Sequence, residues 1–543
     1  MNKPEKKEKG ISAKELNKAA KEQLQEQGLS KEVSSVDKEI PEGRFPEKII
    51  YQALDENEDG DAALFIKLFQ GHRLYDQRVN PLAAWYYWND HHWREDEQKE
   101  VFKLVREVVG VYYEQHQREI WKIKKAENNK KLSAEERDTE IKYCKSRIKI
   151  LKEREKQLQT LKRKSSILKL ASMGVNSLGY VGDGWDLNPW LIGCRNGVID
   201  LEKGQFRDGR PEDYIKTVSP IAWDENATCP AWERFLLEIF EGDQEMVDFM
   251  QRLLGYAITG LREEHIYPIF WGEHGRNGKG TILETLKIIL GLMAYRAPTQ
   301  LVMQGIKSTG TGPNATLMKF RGARIVWTSE ANKKDHLDTA IVKGLSGGDT
   351  ISARNPFDRK ETDFPPTHTI ITVVNPLPKV DADDDAFWDR VILIPFSLSF
   401  VDKPDPLKPW QRLKNPKLGE ELKKEAPGIL KWLVQGTSLW IKDRLNIPES
   451  LLAAKHKYRE EEDIIGYFFE ECCFIEKGNT SLRTKPKELY FVYKSWCKES
   501  GFNHLNQKHF KEAILKKIEP PSPYLGCYYY KGIILTINPG DAF

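Results

Sequence analysis

The chain has 543 residues, 40% hydrophobic and 30% charged, with a formal net charge of only +3. That length supports several domains with cores of their own, and the near-neutral balance confines any nucleic-acid surface to a local patch. No apolar run approaches a membrane span, the Met1 end lacks the apolar core of a secretion signal, and the seven cysteines form no C-x-x-C pair. A membrane protein, a disulfide scaffold and a cysteine zinc site are thereby excluded, and a cytoplasmic protein with reduced thiols is expected.

Residues 1–45 are charged and lack sustained apolar periodicity, as in a disordered polar arm. The stretch Asp55, Asn57, Asp59, Gly60, Asp61 begins like a calcium loop, but Ile66 stands where the bidentate glutamate belongs. The expectation is a loop in which Asp61 caps a helix over Ala62–Phe69. Trp85–Trp93 reads as an aromatic hairpin around an Asn-Asp turn. A very polar helical stretch follows to about Leu170, and 117–166 carries 17 Lys/Arg against 8 Asp/Glu. Such a charge run suits a solvated helical hairpin, or a surface that also meets nucleic-acid phosphates. Two short strands between Pro189 and Gln205 are succeeded by helices over Trp232–Phe240 and Gln244–Thr259, the second capped by Asp243.

The stretch richest in chemistry is Ile269–Leu286, in which an apolar strand ending at Trp271 breaks into a glycine turn and then an amphipathic helix. Glycines let backbone N–H groups converge on phosphate oxygens, and the helix N-terminus adds partial positive charge. Gly272, Gly275, Arg276, Asn277, Gly278, Lys279, Gly280 and Thr281 form the candidate phosphate cradle, with Lys279 reaching the outer phosphates. The strict G-x-x-x-x-G-K-[ST] spacing fails twice. Glu273 holds the first glycine position, with Gly272 one residue early, and Gly280 replaces the metal-binding hydroxyl, which comes one residue later at Thr281. A plain glycine turn between a core strand and a core helix is the alternative.

A second buried strand ends at Ser329-Glu330, and Glu330 is the candidate acid for Mg²⁺ or for the attacking water. Ile351–Arg354 starts a strand, Asn355-Pro356 breaks it, and Arg359 and Lys360 lie near a hairpin tip where, with Arg354, they suit phosphate contact. A third strand ends in Asn375, placed to sense the γ-phosphate. Arg390 precedes the apolar strand Val391–Phe396 and could act in trans on a neighbouring subunit. A turn asparagine and a surface arginine remain open for these two. Towards the C-terminus, helices over 464–474, 486–499 and 506–518 precede strands 527–530 and 532–536, which read together as a winged helix whose two strands form the wing. Gln507, Lys508 and Lys511 lie on one helix face.

In order, Arg195-Asn-Gly-Val-Ile-Asp-Leu201, Cys229-Pro-x-Trp232, Leu254–Gly260, Gly275–Lys279, Ser329-Glu330, Leu345-Ser-Gly-Gly-Asp349, Asn375-Pro-Leu-Pro378 and Arg390–Phe396 resemble the phage and plasmid primase–helicase family of helicase superfamily 3. That family is related to satellite-phage and poxvirus replication proteins. The resemblance implies an α/β P-loop ATPase core of AAA+ type over 231–440, a helical α+β domain over 46–230 with a charged insertion at 114–170, and a winged-helix-like domain over 447–543. It implies a hexameric ring on single-stranded or forked DNA, unwinding 3′→5′ with ATP and Mg²⁺. Lys279 and Thr281 would bind nucleotide and metal, with Glu330 as acid, Asn375 as sensor and Arg390 as finger. Arg354, Arg359 and Lys360 would line the pore. No paired acids or zinc cysteines of a primase precede the ATPase, so primase activity is expected from a separate primase or polymerase partner.

Overall fold

The structure is a computed structural model that describes residues 43–77, 85–180, 184–304, 314–329, 335–354, 356, 361–502 and 504–537. It divides into two compact units, one from 1–68 with 100–177 and the other from 69–99 with 178–543. Glu330, Arg359, Lys360 and nearly all of the expected N-terminal arm lie outside the described residues.

The first unit is built of helices α1 (Glu47–Asp55), α2 (Asn57–Phe69), α3 (Arg106–Asn128), α4 (Ala134–Gln157) and α5 (Leu161–Ala171). A capping box starts α4, with Ser133 Oγ accepting from Glu136 N at 3.2 Å and Glu136 accepting from Ser133 N at 2.8 Å. The cap reading of Asp61 is corrected: α2 begins at Asn57, and Asp61 sits inside it, wholly buried. Its carboxylate accepts from Tyr112 Oη at 2.6 Å, Arg154 Nη1 at 2.9 Å and Arg163 Nη2 at 2.6 Å. Charge pairing with distant helices thus takes the aspartate from the local capping role. Arg154 also donates to Leu54 O at 3.0 Å, satisfying a carbonyl that the end of α1 leaves open.

In the second unit, strands β1 (Arg73–Asp76), β2 (Trp85–Asn89), β3 (His92–Glu95) and β4 (Gly179–Tyr180) form a sheet in the order β3-β2-β1-β4. The β2–β3 turn has Asp90 at φ 57°, and Tyr86 and Trp93 bury against Trp185, so these aromatics serve packing. A three-stranded meander follows: β5 (Leu191–Cys194), β6 (Gly197–Asp200) and β7 (Gln205–Arg207). Helices α6 (Pro230–Ile239) and α7 (Gln244–Ala257) come next, and Asp243 caps α7 through Met246 N at 3.1 Å.

The central sheet comprises β8 (Tyr267–Trp271), β9 (Ala294–Arg296), β10 (Ile325–Ser329), β13 (Thr369–Val374) and β14 (Val391–Pro395). Its order is β14-β8-β13-β10-β9, and every pairing is parallel. A parallel sheet covered on both faces explains the unbroken apolar runs. Phe270, Trp327, Ile371 and Ile394 pack on one side with α6, α7, α8 (Lys279–Leu290) and α10 (Ala426–Asp443), and Ile269, Val326, Ile370 and Leu393 pack on the other with Phe364 and Phe387. Helix α9 (Thr339–Ser346) leads into an antiparallel hairpin, β11 (Ile351–Ala353) with β12 (Thr362–Phe364). Backbones of α7 and α10 touch at glycines: a Cβ on Gly255 would lie 2.2 Å from the carbonyl carbon of Gly436.

A pair of short parallel strands, β15 (Ser399–Val401) and β16 (Gln411–Leu413), follows β14. The C-terminal part holds α11 (Glu449–Glu461), α12 (Ile464–Cys472), β17 (Cys473–Ile475), β18 (Arg483–Thr484), α13 (Pro486–Glu499), α14 (Gln507–Leu515), β19 (Ser522–Tyr524), β20 (Cys527–Lys531) and β21 (Ile533–Leu535). The expected wing strands do not pair with each other. Instead β20 pairs with β18 and β19, whereas β21 pairs with β17. Gly532 alone, at φ 72°, separates β20 from β21, too short a link for a hairpin, so the turn falls at Leu525-Gly526 between β19 and β20.

Replacing Asp61 by Ala would leave the buried Arg154 guanidinium without its counter-charge and Arg163 with Glu58 alone, at 2.8 Å. We expect Asp61→Ala to cost about 3–5 kcal/mol in denaturant unfolding of the helical unit, and Asp55→Ala, on an exposed turn, to stay within about 0.5 kcal/mol. Equal stability of the two variants would refute the assignment.

Candidate functional site

The turn from Gly272 to Gly278 leaves the C-terminal end of β8 and enters α8. Ligand sites of open parallel sheets lie at this end. Gly278 has φ 90°, and a Cβ there would press on Ile239 at 2.9 Å, so glycine is required both by conformation and by space. Gly272 is required by space alone: a Cβ would stand 2.2 Å from Asn277 Nδ2, 2.6 Å from Phe396 O and 3.0 Å from Lys279 Nζ. The displaced first glycine of the motif therefore still makes room for the lysine. Gly275 and Gly280 face open space.

The turn is braced from outside. Asn277 Nδ2 donates to His274 O at 2.7 Å, Ser399 Oγ to Gly275 O at 2.8 Å and Phe400 N to Arg276 O at 2.8 Å. The His274 ring stacks on Trp410 with centroids 4.9 Å apart. These contacts hold Arg276 at φ 61°, a left-handed conformation that costs a non-glycine residue energy. β15 thus serves as a strap over the turn.

Lys279 is 4% exposed, and its amine donates to Gly272 O at 3.3 Å and Asn375 Oδ1 at 3.0 Å. Burial pushes the ammonium down to about 8. Asn375 reaches it because β13 lies beside β8, with Val374 opposite Trp271. Thr281 is half-buried in the first turn of α8 and Arg276 is exposed. Ser329 ends β10 on the far side of β13, paired with Val373, and its carbonyl accepts from Thr299 Oγ1. The structure therefore brings together Gly272, Asn277, Gly278, Lys279, Thr281 and Asn375. Among the described residues no group of three or more His, Cys, Asp or Glu side chains is arranged to hold a metal ion. Chemically, a buried amine with neutral partners, beside a helix N-terminus, is suited to receive an anion.

Arg390 is not part of this gathering. Val391 pairs with Tyr267, so Arg390 stands at the N-terminal edge of the sheet, opposite the turn, with Nη1 bonded to Ala386 O and a buried Nε that has no partner among the described residues. Arg354 leaves the β11 strand, and its carbonyl accepts from Asn314 N at 3.0 Å. Gln507, Lys508 and Lys511 are exposed along α14, but Lys516 and Lys517 beyond them face Asp381, Asp383 and Asp463 at 2.6–4.0 Å.

Two residues that sequence reasoning passed over fix this frame. Arg262 donates to Gly347 O at 3.1 Å, Leu345 O at 3.0 Å and His368 O, which clamps the root of the β11–β12 hairpin to the start of β13. Arg324 donates to Thr259 O, Asn188 O and Leu191 O at 3.1–3.3 Å, and burial pulls its guanidinium down to about 10. Neither stands in a motif, and their acceptors are carbonyls, which carry no sequence signal.

Comparison with known proteins places this geometry in context. The family described as D5 N terminal like matches residues 62–241, and the Poxvirus D5 protein-like family matches residues 460–528. The chain is 26% identical over 362 residues to a protein of Acanthamoeba polyphaga mimivirus named "Putative helicase L207/L206", covering 64% of this chain and 37% of that protein. It is 26% identical over 389 residues to "Putative helicase 121R" of Invertebrate iridescent virus 3, covering 66% and 41%. A protein of African swine fever virus named "Putative primase C962R" is 24% identical, over 44% of this chain and 25% of its own length. The chain thus spans about two fifths of the two helicase-named relatives. A solved structure described as the apo A form of the NrS-1 C terminal region aligns with 67% of this chain and 88% of its own, at 13% identity and a TM-score of 0.37, a likeness too slight to carry an argument. The chain is thus similar over two separate stretches to D5-type families, and over about two thirds of its length to viral proteins named as helicases.

Proposed function

We propose that the protein is an ATP-driven replicative DNA helicase of the AAA+ type, working as a hexameric ring in the 3′→5′ sense. The observation that carries this reading is the buried Lys279 amine, bridging Gly272 and Asn375 at the C-terminal end of a parallel sheet ordered β14-β8-β13-β10-β9. The helicase-named relatives support DNA as the substrate.

On this reading the turn N–H groups and the α8 N-terminus bind the nucleotide phosphates, and Lys279 exchanges its two neutral partners for phosphate oxygens. The magnesium-bound triphosphate supplies an activated phosphoryl group. Thr281 is the hydroxyl available to the metal. Gly280 faces open space, so its lack of a side chain is not a steric demand of the fold. Asn375, released from Lys279, reads the γ-phosphate. Glu330, the residue after Ser329 in sequence, is the acid that holds Mg²⁺ or orients water. Arg390 cannot reach its own turn from the opposite sheet edge, which supports a role on the neighbouring subunit's nucleotide. Arg354, Arg359 and Lys360 line the pore, and Gln507, Lys508 and Lys511 meet DNA from a winged-helix-like C-terminal domain.

The first test is DNA-stimulated ATP hydrolysis with strand displacement from a 3′-tailed fork. Wild type is expected to do both and Lys279→Ala neither; wild-type fork binding without stimulated turnover would instead fit a loader or initiator. A pH test follows from the Lys279 shift. Its folded value near 8 lies below the ordinary 10.5, so between those values the unfolded chain holds the extra proton and stability rises with pH. Phosphates favour the charged amine, so calorimetry in buffers of different ionisation enthalpy at pH 8.5–9 should register proton uptake on nucleotide binding. Lys279→Met should abolish that uptake.

Subunit mixing tests Arg390. Lys279→Ala and Arg390→Ala are each expected to be inactive, but a 1:1 mixture that exchanges subunits should recover roughly a quarter of wild-type hydrolysis, since about one interface in four pairs an intact turn with an intact arginine. A mixture that stays inactive would place Arg390 outside the neighbour's site.

A further inference from the structure

The charged helical hairpin of the first unit plays no part in the chemistry above. Along α4, lysines stand at 142, 145, 149, 152 and 156, and all five are exposed. That 3-4-3-4 spacing gathers them into an arc of about 80° and a line of about 21 Å, with one ammonium every 5 Å or so. The buried positions of α4, Cys144, Leu151 and Arg154, occupy a different face, so the lysines do not belong to the seam with α3. Only Lys142 is neutralised, by Asp138 at 2.6 Å. Among the described residues Lys145, Lys149, Lys152 and Lys156 have no ion pair, although Arg147 and Arg154, on the same helix, are consumed by Glu47 and Asp61. Glu153 borders the line and instead accepts from Gln157 Nε2 at 3.4 Å.

Arg147 and Arg154 are thus spent on structure, and Lys145, Lys149, Lys152 and Lys156 are left, among the described residues, as a row of cations without ion pairs. Four like charges at close spacing repel one another, and a helix gains nothing from them by itself. Protein interfaces are depleted in lysine and draw their energy from aromatic and arginine anchors, which this face lacks. A row of point charges without a planar fork suits phosphates and not base edges. Duplex DNA offers the matching partner, one negative charge per 1.7 Å of axis, or on the order of a dozen charges over the length of the row.

We propose that the Lys145, Lys149, Lys152 and Lys156 face of α4 binds the phosphate backbone of duplex DNA without regard to sequence, giving the enzyme a second DNA contact in a unit separate from the ATPase. The inference rests on the reading of DNA as substrate but on none of its catalytic residues.

The test uses the full-length protein with Lys145, Lys149, Lys152 and Lys156 all changed to Gln, which keeps the helix-forming character of each position. Binding to a blunt duplex and to an oligo-dT strand is measured by fluorescence anisotropy across a salt series. Each phosphate contact adds about 0.9 to the log–log salt slope on duplex and about 0.7 on a single strand. We expect the variant to lose about 3–4 from the duplex slope, to keep its oligo-dT binding, and to retain wild-type basal ATP hydrolysis without DNA. A second variant, Lys149→Glu, should weaken duplex binding further per residue changed, by repulsion. An unchanged duplex slope in a variant that hydrolyses ATP normally would overturn the inference and leave the helicase reading intact. Loss confined to oligo-dT would overturn the duplex assignment. A wild type that binds neither DNA would remove the inference together with the reading beneath it.

Discussion

The second unit depends on a charge that, among the described residues, is met by no counter-charge. Lys279 is buried, and its partners among the described residues, the Gly272 carbonyl and the Asn375 amide oxygen, are neutral dipoles. Dipoles at 3.0–3.3 Å offset only part of the lost hydration, which is why the amine is pushed down to about 8. On the proposed reading, an arrangement that weakens the unliganded protein favours a polyanion, because the desolvation has already been met in folding. The missing Cβ of Gly272 is the other half of this device, since any side chain there would occupy the lysine's own path.

Holding such a group still calls for stiffness in the surrounding frame, and the chain achieves it in two contrasting ways. In the first unit, buried guanidiniums meet carboxylates: Arg154 and Arg163 share Asp61. In the second, Arg252, Arg262 and Arg324 are bonded to backbone carbonyls of loops: Leu445 and Asn446, then Leu345, Gly347 and His368, then Asn188, Leu191 and Thr259. A fork of donors against carbonyl oxygens fixes a loop to the sheet without depending on any one side chain. The loops so fixed are those around the strands that carry the site.

What could be read from the sequence follows from these physics. Strands β8, β10, β13 and β14 were legible because a parallel sheet buried on both faces writes itself as unbroken apolar runs, and Asp243 was legible as a cap because its partner lies three residues away. The glycine turn between an apolar strand and a helix was legible as well. Asp61 was misread because the arginines that bury it lie 93 and 102 positions on, beyond any local pattern. Of the C-terminal strands, β20 and β21 were found, but β17, β18 and β19, with which they pair, were not. Alternation marks a strand, whereas pairing of β21 with β17 is set by a glycine kink and a shared core. Arg262 and Arg324 left no trace, since carbonyl acceptors exist at every residue.

The path out of the site runs through the segment after Asn375. Its acidic residues Asp381 and Asp383 face Lys516 and Lys517, just past α14, at 3.5–4.0 Å, and exposed pairs of that kind contribute about 0–1 kcal/mol and weaken with salt. The firmer attachment is to α11 and the residue after it. Tyr458 Oη, buried, donates to Pro378 O, and the Glu462 carboxylate accepts from Val380 N at 3.2 Å. Tyr458 also packs edge-on to Trp388, in the one-turn helix over Asp385–Trp388 that precedes Arg390, with centroids 5.1 Å apart. A shift of Asn375 on release from Lys279 would therefore press first on α11 and on the approach to Arg390, the two rigid neighbours of the segment. The helix bearing Gln507, Lys508 and Lys511 meets the acidic segment through this ionic contact and is otherwise held by Phe510 and Ile514 in the core it shares with α12.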